Sequence, residues 1–253
     1  MCLIVAGWQV HPEFPLVVAA NRDEFHARPT DAAAFWDDAP QIFGGRDRQA
    51  GGTWLAAHRD GRFAAVTNVR EPGVPAGPCS RGELTAGFLR QPDAAATFAA
   101  RIDLAAYSGF NLLLADHDTL LYLSNRQPAG SAAAQVLPAG VYGLSNHRLD
   151  TPWPKLVRAR TAFVSALETL PAAEAFFTLL ADRHLAAEHD LPATGVSPEW
   201  ERLLSAIFVC SPNYGTRAST LYLRHRSGEA LLLEKSFSPA GEEIQFSQIS
   251  TGV

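Results

Sequence analysis

The chain has 253 residues, enough for one large domain to bury its own core without a disulfide or metal staple. Hydrophobic residues make up 47% and charged residues 19%, which excludes wholesale disorder. A net charge of -5 gives no bulk attraction for nucleic acid or anionic lipid.

The chain opens MCLIVAGW, and residues 3–10 form an apolar run too short for a membrane span and without a basic segment before it. A cytoplasmic protein with no membrane insertion is expected, and the run reads as a buried strand. A second apolar run, 16–20, follows across two prolines, so the pair reads as a hairpin. Residues 21–50 are polar and read as irregular. Trp36 falls in that stretch and is expected on a loop, walling an apolar ligand pocket. The other large aromatics, Trp8, Phe35, Trp54, Trp153 and Trp200, read as core.

Residues 51–58 and 62–69 form a second strand pair around Asp60-Gly61. Helices are expected over 80–100, with Ser80 and Glu83 as a capping box. Strands follow at 110–115, 119–124 and 140–145. Apolar residues at helical spacing mark 153–190. Strands at 206–210, 220–225 and 231–237 close the chain. Tight turns between strand pairs imply antiparallel sheets, so the fold class is α+β with layered sheets rather than a doubly wound parallel sheet. No internal repeat divides the chain, and residues 1–253 read as a single domain.

The nucleotide-binding and zinc-protease motifs GxGxxG, GxxxxGK[ST] and HExxH are absent. The three cysteines, Cys2, Cys79 and Cys210, have no metal spacing and suit a reducing compartment. Cys2 stands apart. Removal of an initiator Met before a small residue leaves a thiol and an α-amine on one residue, and that amine, with a pKa of about 7.7–8.0, can deprotonate its own nucleophile. The competing reading is a small buried residue that begins a strand. A nucleophile needs oxyanion donors and orienting groups. Asn21, Arg22, Asp23 and Glu24 follow the second strand, Asn68 and Asn146 end later strands, and Arg217 opens another. Each of these also suits a turn or a strand end.

The stretches MCLIVAGWQVHPEFPLVVAANRDEFHARPT, AGGTWLAAHRDGRFAAVTNVREP, SRGELTAGFL, YSGFNLLLAD, GLSNHRLDTPWPK and PNYGTRASTLYL, in that order along almost the whole chain, resemble the NRDE family, to which the animal transport and Golgi organisation 2 proteins belong. That family is similar in fold to the cysteine N-terminal nucleophile hydrolases. The resemblance implies a four-layer αββα sandwich of antiparallel sheets with Cys2 as nucleophile. It implies that Asn21, Arg22 and Asp23 lie near the nucleophile, that Asn68 and Asn146 serve the oxyanion and substrate, and that Arg217 is the late arginine of the class. The register here is not the hydrolases' Arg-x-x-Asp, so whether Arg22, Asp23 or Glu24 orients the nucleophile stays open.

Two functions follow. One is an amidase or acyltransferase that acts on non-peptide C–N or thioester bonds of a small acyl substrate and requires no cofactor. The other, implied by the association of the animal relatives with lipid homeostasis and haem trafficking, is a carrier that binds haem or acyl-CoA without turnover. In that reading Cys2, His11, His26, His58 or His147 is the candidate axial ligand, although neither a Cys-Pro pair nor CxxCH is present. The oligomeric state is not set by anything in the sequence.

Overall fold

A computed structural model describes residues 2–252. A hairpin of β1 (Cys2–Trp8) and β2 (Leu16–Phe25) opens the chain. β3 (Thr30–Trp36), β4 (Ala39–Asp47), β5 (Leu55–His58) and β6 (Phe63–Asn68) follow, then α1 (Gly82–Arg90) and α2 (Ala95–Ala100). The middle of the chain holds β7 (Phe110–Ala115), β8 (Leu120–Ser124), β9 (Ala134–Leu137) and β10 (Gly140–Leu144). α3 (Pro154–Leu167), α4 (Glu174–Leu180) and α5 (Pro198–Leu203) precede β11 (Tyr214–Arg224), β12 (Ala230–Phe237) and β13 (Glu243–Ser250).

Among the described residues the strands form two antiparallel sheets. One runs β10-β1-β2-β11-β12-β13 and the other β3-β4-β5-β6-β7-β8-β9. Alternation of side chains along each strand sorts the apolar residues into three cores. Ile4, Ala6, Val18 and Ala20 of the first sheet meet Leu55, Ala57, Phe63 and Ala65 of the second, in the gap between the sheets. Leu3, Val5, Val17 and Ala19 point outward and are covered by Leu156, Phe163 and Phe176 of α3 and α4. Ala56, Ala64, Leu112 and Leu114 of the second sheet are covered by Leu84, Phe88 and Ala95 of α1 and α2. The result is the expected αββα sandwich. Continuous apolar runs such as LIVA and LVVAA are what a sheet buried on both faces requires. Among the described residues no helix is long and apolar enough to cross a membrane.

Several expectations from the sequence are corrected. Residues 21–50 are not irregular. β2 runs on through Asn21-Arg22-Asp23-Glu24 to Phe25, and β3 and β4 fill most of the rest. Polar residues continue a strand here because their side chains are buried against partners rather than released to solvent. Trp36 lies on β3, 4% exposed, and its Nε1–H donates to the Gly44 carbonyl at 3.1 Å. It fills the core beneath α1 and does not line the cavity that holds Cys2. The capping box does not form: Arg81 occupies the N-cap with no side-chain cap, and the Ser80 carbonyl accepts from the Glu83 N–H at 3.0 Å. Residues 206–210 form no strand, because their apolar side chains plug two cores as a loop: Ile207 packs with α3 and α4, and Val209 with Leu204 and Tyr214. The two early hairpins belong to different sheets and face each other across the gap.

One close approach places α1 beside the gap. The Thr53 N–H donates to the Gly82 carbonyl at 3.2 Å, and a Cβ on Gly52 would lie 2.4 Å from the Gly82 backbone. Only glycine at Gly52 lets the start of α1 come this near.

Candidate active site

Cys2 is the first residue of β1 and pairs in register with Arg22 on β2. It has the parity of Ile4 and Ala6, and Arg22 that of Val18 and Ala20, so both side chains face the gap between the sheets. There a cavity of about 120 Å³ opens at the end of the sandwich. Cys2, Arg22, Asp23 and Glu24 supply one wall, and Thr53, Trp54, Thr67 and Asn68 the other. Ser80, Arg81 and Gly82 bring in the start of α1, and Arg28 and Asp47 complete the lining. The Cys2 thiol is half-buried, and burial pushes its pKa up while the Arg22 charge pulls it down.

Arg22 is 5% exposed. Its guanidinium stacks 4.3 Å from the centroid of the Trp54 ring, and its Nη1 has no hydrogen-bond partner among the described residues. Asp23 is buried one position on, where the opposite parity turns its side chain toward the helices. Its Oδ1 accepts from the Thr216 hydroxyl at 2.7 Å, and its backbone carbonyl accepts from the Tyr214 hydroxyl at 3.0 Å. Burial raises the Asp23 pKa, with Lys155 the chief opposing charge. Lys155, on the first turn of α3, is 2% exposed, and its Nζ has no hydrogen-bond partner among the described residues. Burial lowers its pKa to about 8 against the pull of Asp23.

The two asparagines divide into one that lines the cleft and one behind it. Asn68 ends β6 and lines the cleft. Asn146 is fully buried, and its Nδ2 donates to the Asn68 carbonyl at 3.1 Å and to Asn68 Oδ1 at 3.0 Å. Asn146 therefore fixes Asn68 and has no amide hydrogen aimed at a ligand. The Ser145 hydroxyl lies within donating distance of the Cys2 carbonyl, at 3.1 Å, tying β10 to the first residue of β1.

Asn21 does not line the cleft. Its Nδ2 donates to the carbonyls of Leu180 and Ile207 at 2.8 and 2.9 Å, and its Oδ1 accepts from the Ser219 hydroxyl at 2.6 Å. It pins the end of α4 and the segment after α5 to the sheet. Arg217 is also outside the cleft. Its Nη1 lies within donating distance of the carbonyls of Phe25, His26 and Arg28, and its side chain lines an adjacent cavity that shares Arg22 and Trp54 with the first. The cleft thus joins Cys2, Arg22 and Asn68, with Asp23 in the wall but its carboxylate turned to the helix face, Asn146 behind and Arg217 beside.

Thr53, Trp54, Thr67, Arg28, Asp47, Ser80, Arg81, Gly82 and Lys155 were not among the expected site residues. A signal existed for several: Arg81 and Gly82 lie in SRGELTAGFL and Lys155 in TPWPK, two of the quoted stretches, which read there as helix starts. None of His11, His26, His58 and His147 lines the cleft. His26 Nε2 engages the Ser211 carbonyl, His58 Nδ1 faces Asp60, and His147 Nδ1 faces the Thr151 hydroxyl. Among the described residues no group of three or more His, Cys, Asp or Glu side chains is placed to hold a metal.

Comparison with known proteins agrees with this architecture. The family model described as Transport and Golgi organisation 2 matches residues 1–239. Transport and Golgi organization protein 2 homologs of Bos taurus and Homo sapiens are 35% and 33% identical, each comparison covering 93% of this chain and 93% of the relative. The Drosophila melanogaster protein is 27% identical over 96% of this chain and 95% of its own. Among solved structures, the mutant C2A conjugated bile acid hydrolase from Clostridium perfringens superposes with a TM-score of 0.54. That match covers 98% of this chain and 92% of the hydrolase, and at 8% identity it establishes the fold alone.

Proposed function

The chain belongs to the Transport and Golgi organisation 2 family, and we propose that it is a cysteine N-terminal nucleophile hydrolase or acyltransferase for small acyl amides or thioesters. The observation that carries this reading is the cleft that joins the Cys2 thiol, Arg22 and Asn68 at the open end of an N-terminal nucleophile hydrolase sandwich. Once Met1 is removed, the α-amine of Cys2 takes the thiol proton and the sulfur attacks the acyl carbon. Asn68 Nδ2–H, held in place by Asn146, donates to the oxyanion. The C–N or C–S bond then breaks, and the ammonium returns its proton to the leaving group. Water, or an acceptor amine or thiol, attacks the thioester left on Cys2, releases the acyl group and restores the thiol. Arg22 steadies the thiolate, and Asp23 holds the strand end through Thr216 and Tyr214. A reducing cytosol suits the unoxidised thiol.

Intact-mass measurement of the purified protein, followed by turnover assays across acyl amides and acyl thioesters, tests this. Loss of Met1 together with Cys2-dependent turnover supports it. A chain that has lost Met1 yet turns over none of these substrates removes it and returns the cleft to the carrier reading.

A further inference from the structure

Resting on that reading, we infer that the cleft carries a built anion subsite, formed by Arg22, Arg81 and the N-terminus of α1, that takes a carboxylate or phosphate group of the substrate.

The charges of the cleft are unevenly committed. Arg28 is held by Asp47 at 2.6 Å, with Glu24 at 3.9 Å. Asp23 turns toward Thr216, on the other face of β2. Glu234, in the adjacent cavity with Arg22, already accepts from the Ala33 N–H at 2.7 Å and the Thr220 hydroxyl at 2.9 Å. Two cations in the Cys2 cleft are left without a carboxylate within salt-bridge distance among the described residues. Arg22 is buried with Nη1 unpartnered. Among the described residues the Arg81 guanidinium donates only to the Gly109 carbonyl, from Nη1. A buried guanidinium with an orphan donor is costly unless a ligand or water completes it.

The helix adds an independent observation. α1 has nine residues and no side chain capping its N-terminus. The Glu83 and Leu84 N–H groups are satisfied by the Ser80 and Arg81 carbonyls, whereas the Gly82 N–H has no hydrogen-bond partner among the described residues. Gly82 lines the same cavity as Arg22 and Arg81. An uncapped N-terminus carries the positive end of the helix dipole, and beside two guanidinium groups it is suited to an oxyanion. The subsite lies in the cavity that holds the nucleophile, so the substrate would be an acyl compound whose anionic group sits close to the scissile bond.

Alkylation of Cys2 reads this directly and needs no turnover. The Cys2 sulfur displaces iodide from either iodoacetate, which is anionic, or iodoacetamide, which is neutral and of similar size. Rates at Cys2 are followed by peptide mass spectrometry at constant ionic strength, with glutathione as the reference thiol. The expected result is an iodoacetate-to-iodoacetamide ratio several-fold above that of glutathione, falling to the glutathione value in Arg81→Met and in Arg22→Met. Arg81 is only partly buried and outside the core, so its variant remains informative if Arg22→Met fails to fold. Sodium phosphate or sodium acetate should slow the iodoacetate reaction saturably, and the stronger competitor identifies the anion. A wild-type ratio no higher than that of glutathione, or a raised ratio unchanged by Arg81→Met and insensitive to both anions, overturns the subsite. Either outcome is independent of whether Cys2 turns over an acyl group.

Discussion

Cys2 and Arg22 are direct partners in the antiparallel ladder between β1 and β2. Their side chains therefore emerge on the same face of the sheet with no loop between them. Register, rather than loop conformation, sets the distance between thiol and guanidinium. A one-residue slip would turn Cys2 toward α3, so the buried pattern of both strands protects the site geometry.

If Cys2 is the nucleophile, Cys2→Ala abolishes turnover without unfolding the protein, because deleting one half-buried sulfur removes little packing. Cys2→Ser keeps a trace of activity, the hydroxyl being the weaker nucleophile in the same place. A variant designed to retain Met1 loses nearly as much, since the amine that serves as base is then acylated. Cys79 and Cys210 line no part of the cleft, and their Ala variants should match the wild type in initial-rate assays.

Asn146→Ala tests the support behind Asn68. It removes both hydrogen bonds to Asn68 and leaves part-buried acceptors without these donors, a loss of about 1–3 kcal/mol in urea unfolding. Asn68, freed of its partner, would lose its orientation, and kcat should fall by more than KM rises. A variant destabilised by that amount with unchanged kcat would make Asn146 a structural residue only.

The layered antiparallel fold was legible because unbroken apolar runs such as those around Val5 and Val18 have few other homes than a doubly covered sheet. The strand end at Asn21–Glu24 was not, because polarity in a local window says nothing of the distant Thr216, Ser219 and Ile207 that satisfy it. Trp36 was misread for the same reason: its cover, α1, lies nearly fifty residues further along the chain. Arg22 and Asn68 could be named as site residues from the quoted stretches. The separation of Arg22 from Asn21 depends on strand parity, which requires the register.

Trp36→Ala should therefore act on stability alone. A buried Trp removed from a close-packed core costs about 3–5 kcal/mol, and here the Nε1–H bond to Gly44 is lost as well. Thermal or urea unfolding measures the loss. The specific activity of the remaining folded protein, titrated through Cys2 alkylation, should equal that of the wild type.

Lys155 should leave a signature in the pH dependence of stability. Its pKa is lowered to about 8 by burial, against an ordinary value of 10.5. Between those values the unfolded chain holds the proton that the folded chain has released. Stability then rises with pH, because the unfolded state binds more protons. In Lys155→Met this titration is absent. The wild type should therefore gain on the variant by up to about 3 kcal/mol as pH rises from about 7.5 to 10. Urea unfolding of both proteins across that range measures the difference, and titrations common to both, such as the tyrosines, cancel. Parallel stability curves for the two proteins would mean that Lys155 keeps an ordinary pKa and is solvated or paired when folded. At neutral pH the charged amine attracts the Asp23 carboxylate and favours its ionised form, so Lys155→Met should raise the Asp23 pKa further. If Asp23 must be ionised for Cys2 to react, the acid limb of the turnover profile would move to higher pH in that variant.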